Sequence, residues 1–315
     1  MATIERVLAM GFFDGVHVGH AALLNKTIER ASELGAVPSV LSFDVHPDNL
    51  VFNRPVPLIN DARGREEIIR RCFGIDNVVF LHFTRGLMNM PWEEFAETIV
   101  AELNVVGFVV GYDFTFGRKG EGSGSNLSRF CHERGIACDV IPPVTLDGQI
   151  VSSTLIRKMV EEGEMEQAMR YLGHPHCLSD TVHSGYHIGR RLDAPTINMF
   201  FPDGVIIPKH GVYATRVALP DGEEYPAVTN VGVRPTFEGD GRVSVESHLF
   251  GYTGNLYGVP TRVDFYHFIR PEVKFDSYDA LADQIRRDAD AAEAYFSAHP
   301  LKRVSEGKEN SSICR

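Results

Sequence analysis

The chain has 315 residues, 43% of them hydrophobic and 23% charged, which excludes wholesale disorder and leaves room for about two domains. Its 31 Lys and Arg against 42 Asp and Glu give a formal charge of −11. That balance argues against a general binder of nucleic acid or anionic membrane, though not against a local basic pocket for phosphates. The start, MATIERVLAMGFF, has no basic-then-apolar-then-cleavage pattern of a secretory signal. Ile4–Met10 reads as a short strand ending at Gly11. Residues 19–34 carry Leu23, Leu24, Ile28, Ala31 and Leu34 at helical spacing, with Gly35 as the cap. Strands follow at Val37–Phe43, Val78–Leu81, Phe108–Val110 and Val140–Ile141, and a helix at Pro91–Leu103. This βαβ rhythm of continuous apolar runs predicts an α/β N-terminal half built on a doubly wound parallel sheet.

Residues 152–173 read as two short helices ending near Gly173, and 174–182 as a linker. Beyond it Val212–Leu219, Tyr225–Val231, Val243–Leu249 and Thr261–Phe268 are strands between Gly, Pro and Asp turns. They predict a small antiparallel β-barrel. Asp276–Ala298 is a long amphipathic helix with Leu281, Ile285, Ala289, Ala292 and Phe296 on one side. The expected organisation is therefore a domain over 1–173, a linker over 174–182, a domain over 183–300 and a frayed polar tail over 301–315. The five cysteines are odd in number and form no CxxC pair. That usage fits a reducing cytoplasm and argues against a disulfide framework or a structural zinc site. No apolar run approaches the ~18–20 residues of a membrane span.

The sharpest local signal is GFFDGVHVGH at 11–20, where a strand runs through Gly11, Phe13 and Asp14 into a helix opening at Gly19 or His20. A helix start offers free N–H groups and a favourable dipole to phosphate. His17 and His20 there can donate hydrogen bonds to a triphosphate and stabilise charge on a transferring group. VSSTLIR at 151–157 opens another helix. Ser153 and Thr154 offer caps and hydroxyls to phosphate, and Arg157 lies on the same helical face as Thr154, although taken alone the segment reads better as a plain N-cap with a solvated Arg. VVGYDFTFGRKGEGSGS at 109–125 leaves a strand through Gly111. Asp113, Phe114 and Phe116 are placed to border a ring ligand, and the stretch from Gly117 to Ser125 reads as a mobile flap. His46, in FDVHP, ends a strand where open α/β sheets bind ligands, and a structural turn histidine reads equally well.

These four segments, in order, resemble the N-terminal module of bifunctional riboflavin kinase/FAD synthetase, a Rossmann-like HxGH nucleotidyltransferase. The resemblance implies ATP- or FMN-contacting roles for His17, His20, Asp113, Thr154 and Arg157. Gly11, Phe13, Asp14, Gly19, His46, Gly111, Phe114 and Ser153 are the further nucleotide- and flavin-binding candidates beside them.

In the second half, GRRLDAPTIN at 189–198 holds Pro195, which favours extended chain around Ala194. Thr196 and Asn198 then share a face and can offer oxygens to hydrated Mg²⁺, although from spacing alone two solvent-facing polar residues are the commoner case. VSVESHLF at 243–250 alternates, with Val243, Val245, Ser247 and Leu249 on one face and Ser244, Glu246 and His248 on the other; Glu246 could accept a proton from a substrate hydroxyl, although by itself a solvent-facing Glu is the commoner case. APTIN, NVGVRPTFEG (230–239), VESHLF and GNLYG (254–258) together look like the riboflavin kinase domain, a small antiparallel barrel with a C-terminal helix. That likeness implies Mg²⁺–nucleotide held by Thr196 and Asn198, nucleotide contacts at Gly189 and Arg190, and Glu246 as catalytic base. The implied enzyme makes FMN from riboflavin and ATP in its C-terminal domain. It makes FAD from FMN and a second ATP in its N-terminal domain, releasing pyrophosphate, with Mg²⁺ accompanying ATP and no nucleic-acid or membrane partner. A single-domain HxGH nucleotidyltransferase does not account for the second half. A class I aminoacyl-tRNA synthetase would need a KMSKS-like lysine loop, which is not visible. A non-catalytic flavin- or nucleotide-binding module would not require His17, His20 or Glu246.

Overall fold

The computed structural model describes residues 4–51, 55–183, 196–233, 242–300 and 314. Two compact units divide the chain between Ser153 and Thr154, the end of the tail being counted with the first. In chain order the first unit holds β1 (Arg6–Met10), α1 (Val18–Leu34), β2 (Val37–Phe43), α2 (Pro47–Val51), α3 (Ala62–Phe73) and β3 (Asn77–Leu81). Next come α4 (Arg85–Met88), α5 (Trp92–Leu103), β4 (Val105–Gly111), and a hairpin of β5 (Thr115–Phe116) and β6 (Gly122–Ser123). α6 (Gly124–Arg134), β7 (Ala137–Ile141) and a second hairpin of β8 (Thr145–Leu146) and β9 (Gln149–Ile150) complete it.

The strands form a parallel sheet in the order β3-β2-β1-β4-β7. β1 is central because it is apolar on both faces: Val7, Leu8 and Ala9 are fully buried. Leu8, Met10, Phe108 and Val110 pack with Trp92, Phe95, Ile99, Leu127 and Phe130 of α5 and α6. Val7, Ala9 and Val109 are left for the opposite face, along which α1 runs. The strand order reverses at β1, which pairs with β2 on one side and β4 on the other. The C-terminal ends of β1 and β4 therefore flank the crevice where such sheets bind ligands.

In the second unit α7 (Ser153–Glu162, all but its first residue) and α8 (Met165–Leu172) precede β10 (His176–Thr181), β11 (Thr196–Phe200) and β12 (Gly211–Ala218). β13 (Glu224–Val233), β14 (Val243–Leu249), β15 (Pro260–Arg270) and α9 (Tyr278–Ala298) follow. The strands make an antiparallel sheet in the order β10-β15-β12-β13-β14-β11, curled into a half-barrel. The His183 N–H donates to the Asn198 carbonyl at 2.8 Å, so the chain leaving β10 bridges to β11 at the far edge. Tyr213, Val217, Val231, Val245 and Phe265 fill the concave interior. The buried hydroxyls of Thr215, Thr229 and Ser247 satisfy one another there, at 2.6 and 2.7 Å. α9 covers the outer face through Ala292 and Phe296, against Val212, Ala214, Val228 and Tyr266. Arg270 on β15 forks onto Asp288 of α9 at 2.8 and 2.6 Å.

Three expectations change. The segment 174–182 is not a linker: it carries β10, paired residue for residue with β15. The stretch from Gly117 to Ser125 is not a free flap. It turns through the β5–β6 hairpin into α6, and Gly117 (φ 73°) lies so close to Trp92 that an added Cβ would sit 2.6 Å from its Cα. Phe116 is buried beside Trp92 and Phe95, in the core rather than at a ligand. Cys72 on α3 is paired with Cys314, 242 residues along the chain, a single long-range pair and not the framework that the cysteine spacing argued against. The remaining residues of 301–315, expected to fray, lie outside the described set.

β10 also buries an unusual group. His176 is 1% exposed, lies among Phe201 and Phe265, and finds no hydrogen-bond partner for either ring nitrogen among the described residues. Burial, helped by His174, pushes its pKa down to about 3. The folded chain thus keeps this ring neutral where the unfolded chain, with an ordinary value near 6.5, takes up a proton. The contribution to stability is full above about pH 6.5 and is lost as pH falls toward about 3. At pH 4.5 the loss is expected to be roughly 3 kcal/mol. His176→Phe, which keeps an aromatic ring in the cluster, should flatten that acid dependence in thermal melts between pH 7 and 4.5. An unchanged acid slope would assign the effect elsewhere.

Candidate active sites

The first site grows from the turn after β1. The chain leaves Met10, passes Phe13 in the left-handed region (φ 58°, ψ 29°) and Val16 (φ 41°), and enters α1 at Val18. Two left-handed non-glycine residues in one turn cost about 1–3 kcal/mol each and persist only where surroundings fix them. Asp14 is one such fixture: it is buried, and its carboxylate accepts the N–H groups of Ile59 and Asn60 at 2.8 and 3.3 Å. The Asp14 carbonyl accepts the Ser153 hydroxyl at 2.9 Å. Asp14 and Ser153, both expected as ligand contacts, therefore also lace the turn to its neighbours.

The turn delivers the histidine pair. His17 is the N-cap of α1, its Nδ1 accepting the His20 N–H at 3.3 Å, which leaves the proton on Nε2. The two imidazoles stack with centroids 3.6 Å apart and planes 13° from parallel. Gly19 gives the stack room: a Cβ there would stand 3.0 Å from His17 Cε1, a tight contact. Phe13 meets His20 edge-on at 5.1 Å. Burial first, then His17 and Arg65, holds the His20 pKa well below the usual 6.5, so His20 is a neutral donor at neutral pH. Its Nδ1 is buried without a partner among the described residues.

The neighbouring strand ends frame the pair. His46 follows β2, accepts the Asp48 N–H on Nδ1 at 3.1 Å, and touches the Phe12 ring edge-on at 4.6 Å. Gly11 and Gly111 end β1 and β4; Asp113 is exposed just past Gly111, and Phe114 is half-buried with its ring 5.4 Å from Phe116. Thr154 and Arg157 stand on α7, whose first residue is Ser153; both fall in the second unit.

The second site lies on the outer face of the curled sheet. Asn198 on β11 stands directly opposite Glu246 on β14, and Glu246 directly opposite Asn230 on β13. Directly opposed residues share a face with Cβ atoms about 4.5–5.5 Å apart, so the amide and the carboxylate are neighbours. Thr196 shares that face two residues earlier, opposite His248. Val245, Ser247 and Leu249 are buried while Glu246 is half-buried, as the alternation predicts, but Ser244 is buried too and Val243 only half-buried. The sequence reading missed Asn230 and Glu272. The Asn230 amide donates to Glu272 Oε1 at 3.5 Å, and Glu272 lies over Gly232, where a Cβ would overlap it. Only the register of β13 against β14, which no local pattern encodes, brings Asn230 to Glu246. Gly189, Arg190 and Pro195 lie outside the described residues.

A family model described as FAD synthetase matches residues 2–155, and one described as riboflavin kinase matches 172–296. Curated relatives called bifunctional riboflavin kinase/FMN adenylyltransferase include that of Pseudomonas fluorescens, 35% identical over 296 residues, covering 93% of this chain and 94% of the relative. Those of Listeria monocytogenes (31% over 296 residues, 93% of each) and Escherichia coli K12 (32% over 292 residues, 92% of each) match similarly. Among solved structures, one from Streptococcus pneumoniae described as a macrolide-efflux protein is 27% identical with a TM-score of 0.80, covering 93% of this chain and 95% of that one. Among the described residues of this chain, no helix is long and apolar enough to cross a membrane.

Proposed function

The chain belongs to the bifunctional riboflavin kinase/FMN adenylyltransferase family, and from that premise we propose how its residues divide the work. The C-terminal part phosphorylates riboflavin to FMN with ATP, and the N-terminal part adenylylates FMN to FAD with ATP.

In the kinase step Glu246 takes the proton from the terminal ribityl hydroxyl of riboflavin. That oxygen bonds to the γ-phosphorus as the β–γ bridging bond breaks and ADP departs. The register of Asn198 against Glu246 supports this, because it puts a candidate metal-nucleotide ligand beside the base. The Thr196 hydroxyl and the Asn198 amide oxygen are hard oxygen donors on that same face, the chemistry Mg²⁺ prefers. Mg²⁺ held there with ATP supplies charge neutralisation to the phosphates. In the adenylyl step a phosphate oxygen of FMN bonds to the α-phosphorus of ATP, and pyrophosphate leaves. The His17 and His20 rings donate to phosphate oxygens, and the α1 N-terminus offers its dipole to the same anion. Arg157 and Thr154, a turn apart on α7, are the further phosphate contacts, with Asp113 and Phe114 at the flavin.

The observation that carries this two-step reading is that the stacked His17–His20 pair and the Asn198–Glu246 pair belong to different compact units. Purified protein given riboflavin, ATP and Mg²⁺ should yield FMN and then FAD by chromatography. Supplied FMN and ATP should give FAD and pyrophosphate in equal amounts. Accumulation of FMN alone from both mixtures would remove the N-terminal assignment; absence of FMN from the first would remove the C-terminal one.

A further inference from the structure

Arg65, on α3, is fully buried and heads the largest side chains that are so. Among the described residues no carboxylate lies within ion-pair distance of it. Asp14, Asp61 and Asp44 favour its charge only from beyond that distance, so a buried guanidinium here remains expensive and needs a reason. Burial pushes its pKa down to about 10, which still leaves it charged at neutral pH. Its Nε donates to the Asp61 carbonyl at 3.4 Å, and its Nη donors go to the strand ends. Nη1 donates to the Phe12 carbonyl at 2.5 Å and to Ser42 Oγ at 2.8 Å, and Nη2 donates to the Phe43 carbonyl at 2.8 Å. The guanidinium also lies over the Phe12 ring at 4.3 Å and within 5.1 Å of Phe80.

One rigid fork thus ties the end of β1 to the end of β2, and the Ser42 hydroxyl reinforces it by donating to the Phe12 carbonyl at 2.9 Å. The peptide it grips is the one immediately before left-handed Phe13. The clamp is reciprocal. Asp14, one residue further, accepts the backbone of Ile59 and Asn60 in the loop entering α3, and Arg65 reaches back from α3 to Phe12. These grips bracket Phe13 directly, and Gly15, Val16 and then the His17 cap that stacks on His20 follow within three residues.

We infer that Arg65 is a positioning residue for adenylyl transfer, a cationic staple that holds the strained 12–16 turn so that His17 and His20 meet the phosphates in one geometry. This rests on reading the 11–20 turn as the phosphate site. Arg65 touches no substrate; it sets the backbone from which the donors project.

The test uses the full chain with Arg65→Met and Arg65→Lys, assayed about 15 °C or more below each variant's own melting transition, so that unfolded protein does not lower kcat. A misplaced donor costs roughly 10²-fold, so Arg65→Met should lose about that in kcat for FMN adenylylation while KM for ATP and FMN moves less than about threefold. Arg65→Lys, which keeps the charge but cannot bridge two carbonyls, should fall between Arg65→Met and the wild type. Riboflavin phosphorylation by the same preparations should be unchanged. An unaffected kcat in Arg65→Met overturns the inference, as does a rise in KM at constant kcat or an equal loss of both activities. If Arg65→Met does not fold, an unaffected kcat in Arg65→Lys overturns it. A wild-type chain that makes no FAD from FMN overturns the reading of the turn itself. An active wild type with an indifferent Arg65→Met overturns only the role of Arg65.

Discussion

Glu246→Gln is expected to lower FMN formation from riboflavin by roughly 10²–10⁴-fold, the usual worth of a positioned general base, and to leave FAD formation from supplied FMN intact. Glutamine keeps the shape and can still hydrogen-bond, so what is lost is the ability to accept the hydroxyl proton. The fold should stand, because the β14 residues that carry the core are the alternate ones: Val245, Ser247 and Leu249 are buried, whereas Glu246 is half-buried on the face shared with Asn198 and Asn230. Side-by-side chromatographic assays with riboflavin or FMN as the starting flavin check both halves. Kinase turnover unchanged in Glu246→Gln would mean the proton leaves by another route. Loss of both activities would mean that the substitution damages more than the base.

That adjacency of base and amide is also where sequence reading reached its limit. Alternation in VSVESHL told which way Glu246 points, and the PTIN segment told that Thr196 and Asn198 share a face. Both are local, period-two facts. That Asn198 stands across from Glu246, and Asn230 on its other side, depends on strand register between distant segments, which is fixed by the whole sheet. The same divide runs through the first unit. The inner strands β1 and β4 were legible because they are buried on both faces and read as apolar runs. The His17–His20 pair was legible because one turn of chain contains it. α6 was missed because its start, GSGSN, is the composition of a flexible loop. In the structure the Ser123 hydroxyl caps it by accepting the Asn126 N–H, and the glycines let the hairpin close on Trp92. β10 was missed because HPHCLSD looks polar, yet His176 within it is buried as a neutral ring. Arg65 was invisible for the converse reason: on an amphipathic helix an arginine reads as solvated, and only the folded structure shows its fork turned inward to carbonyls.

Replacing His20 by alanine should reverse the pattern of Glu246→Gln. FMN formation from riboflavin continues, FMN accumulates, and its conversion to FAD falls by roughly 10²–10³-fold, the loss found when one transition-state donor is removed from a preorganised site. The size of the effect follows from the geometry. His20 is packed between the His17 ring and Phe13, so its Nδ1 is held in place before substrate arrives and no reorganisation is needed as charge moves to the pyrophosphate. Its protonation state sharpens the test. Burial, the stacked His17 and the nearby Arg65 all oppose an imidazolium, so the folded-state pKa lies well below 6.5. Lowering the pH from 7 to 6 should therefore leave His20 neutral and produce no acid limb at the ordinary histidine value in the kcat profile for FAD formation. A profile that falls with an apparent pKa near 6.5 would show that the ring ionises normally and donates as a cation. Full adenylyl transfer by His20→Ala would remove the residue from the mechanism altogether, leaving His17 and the helix N-terminus to account for phosphate binding.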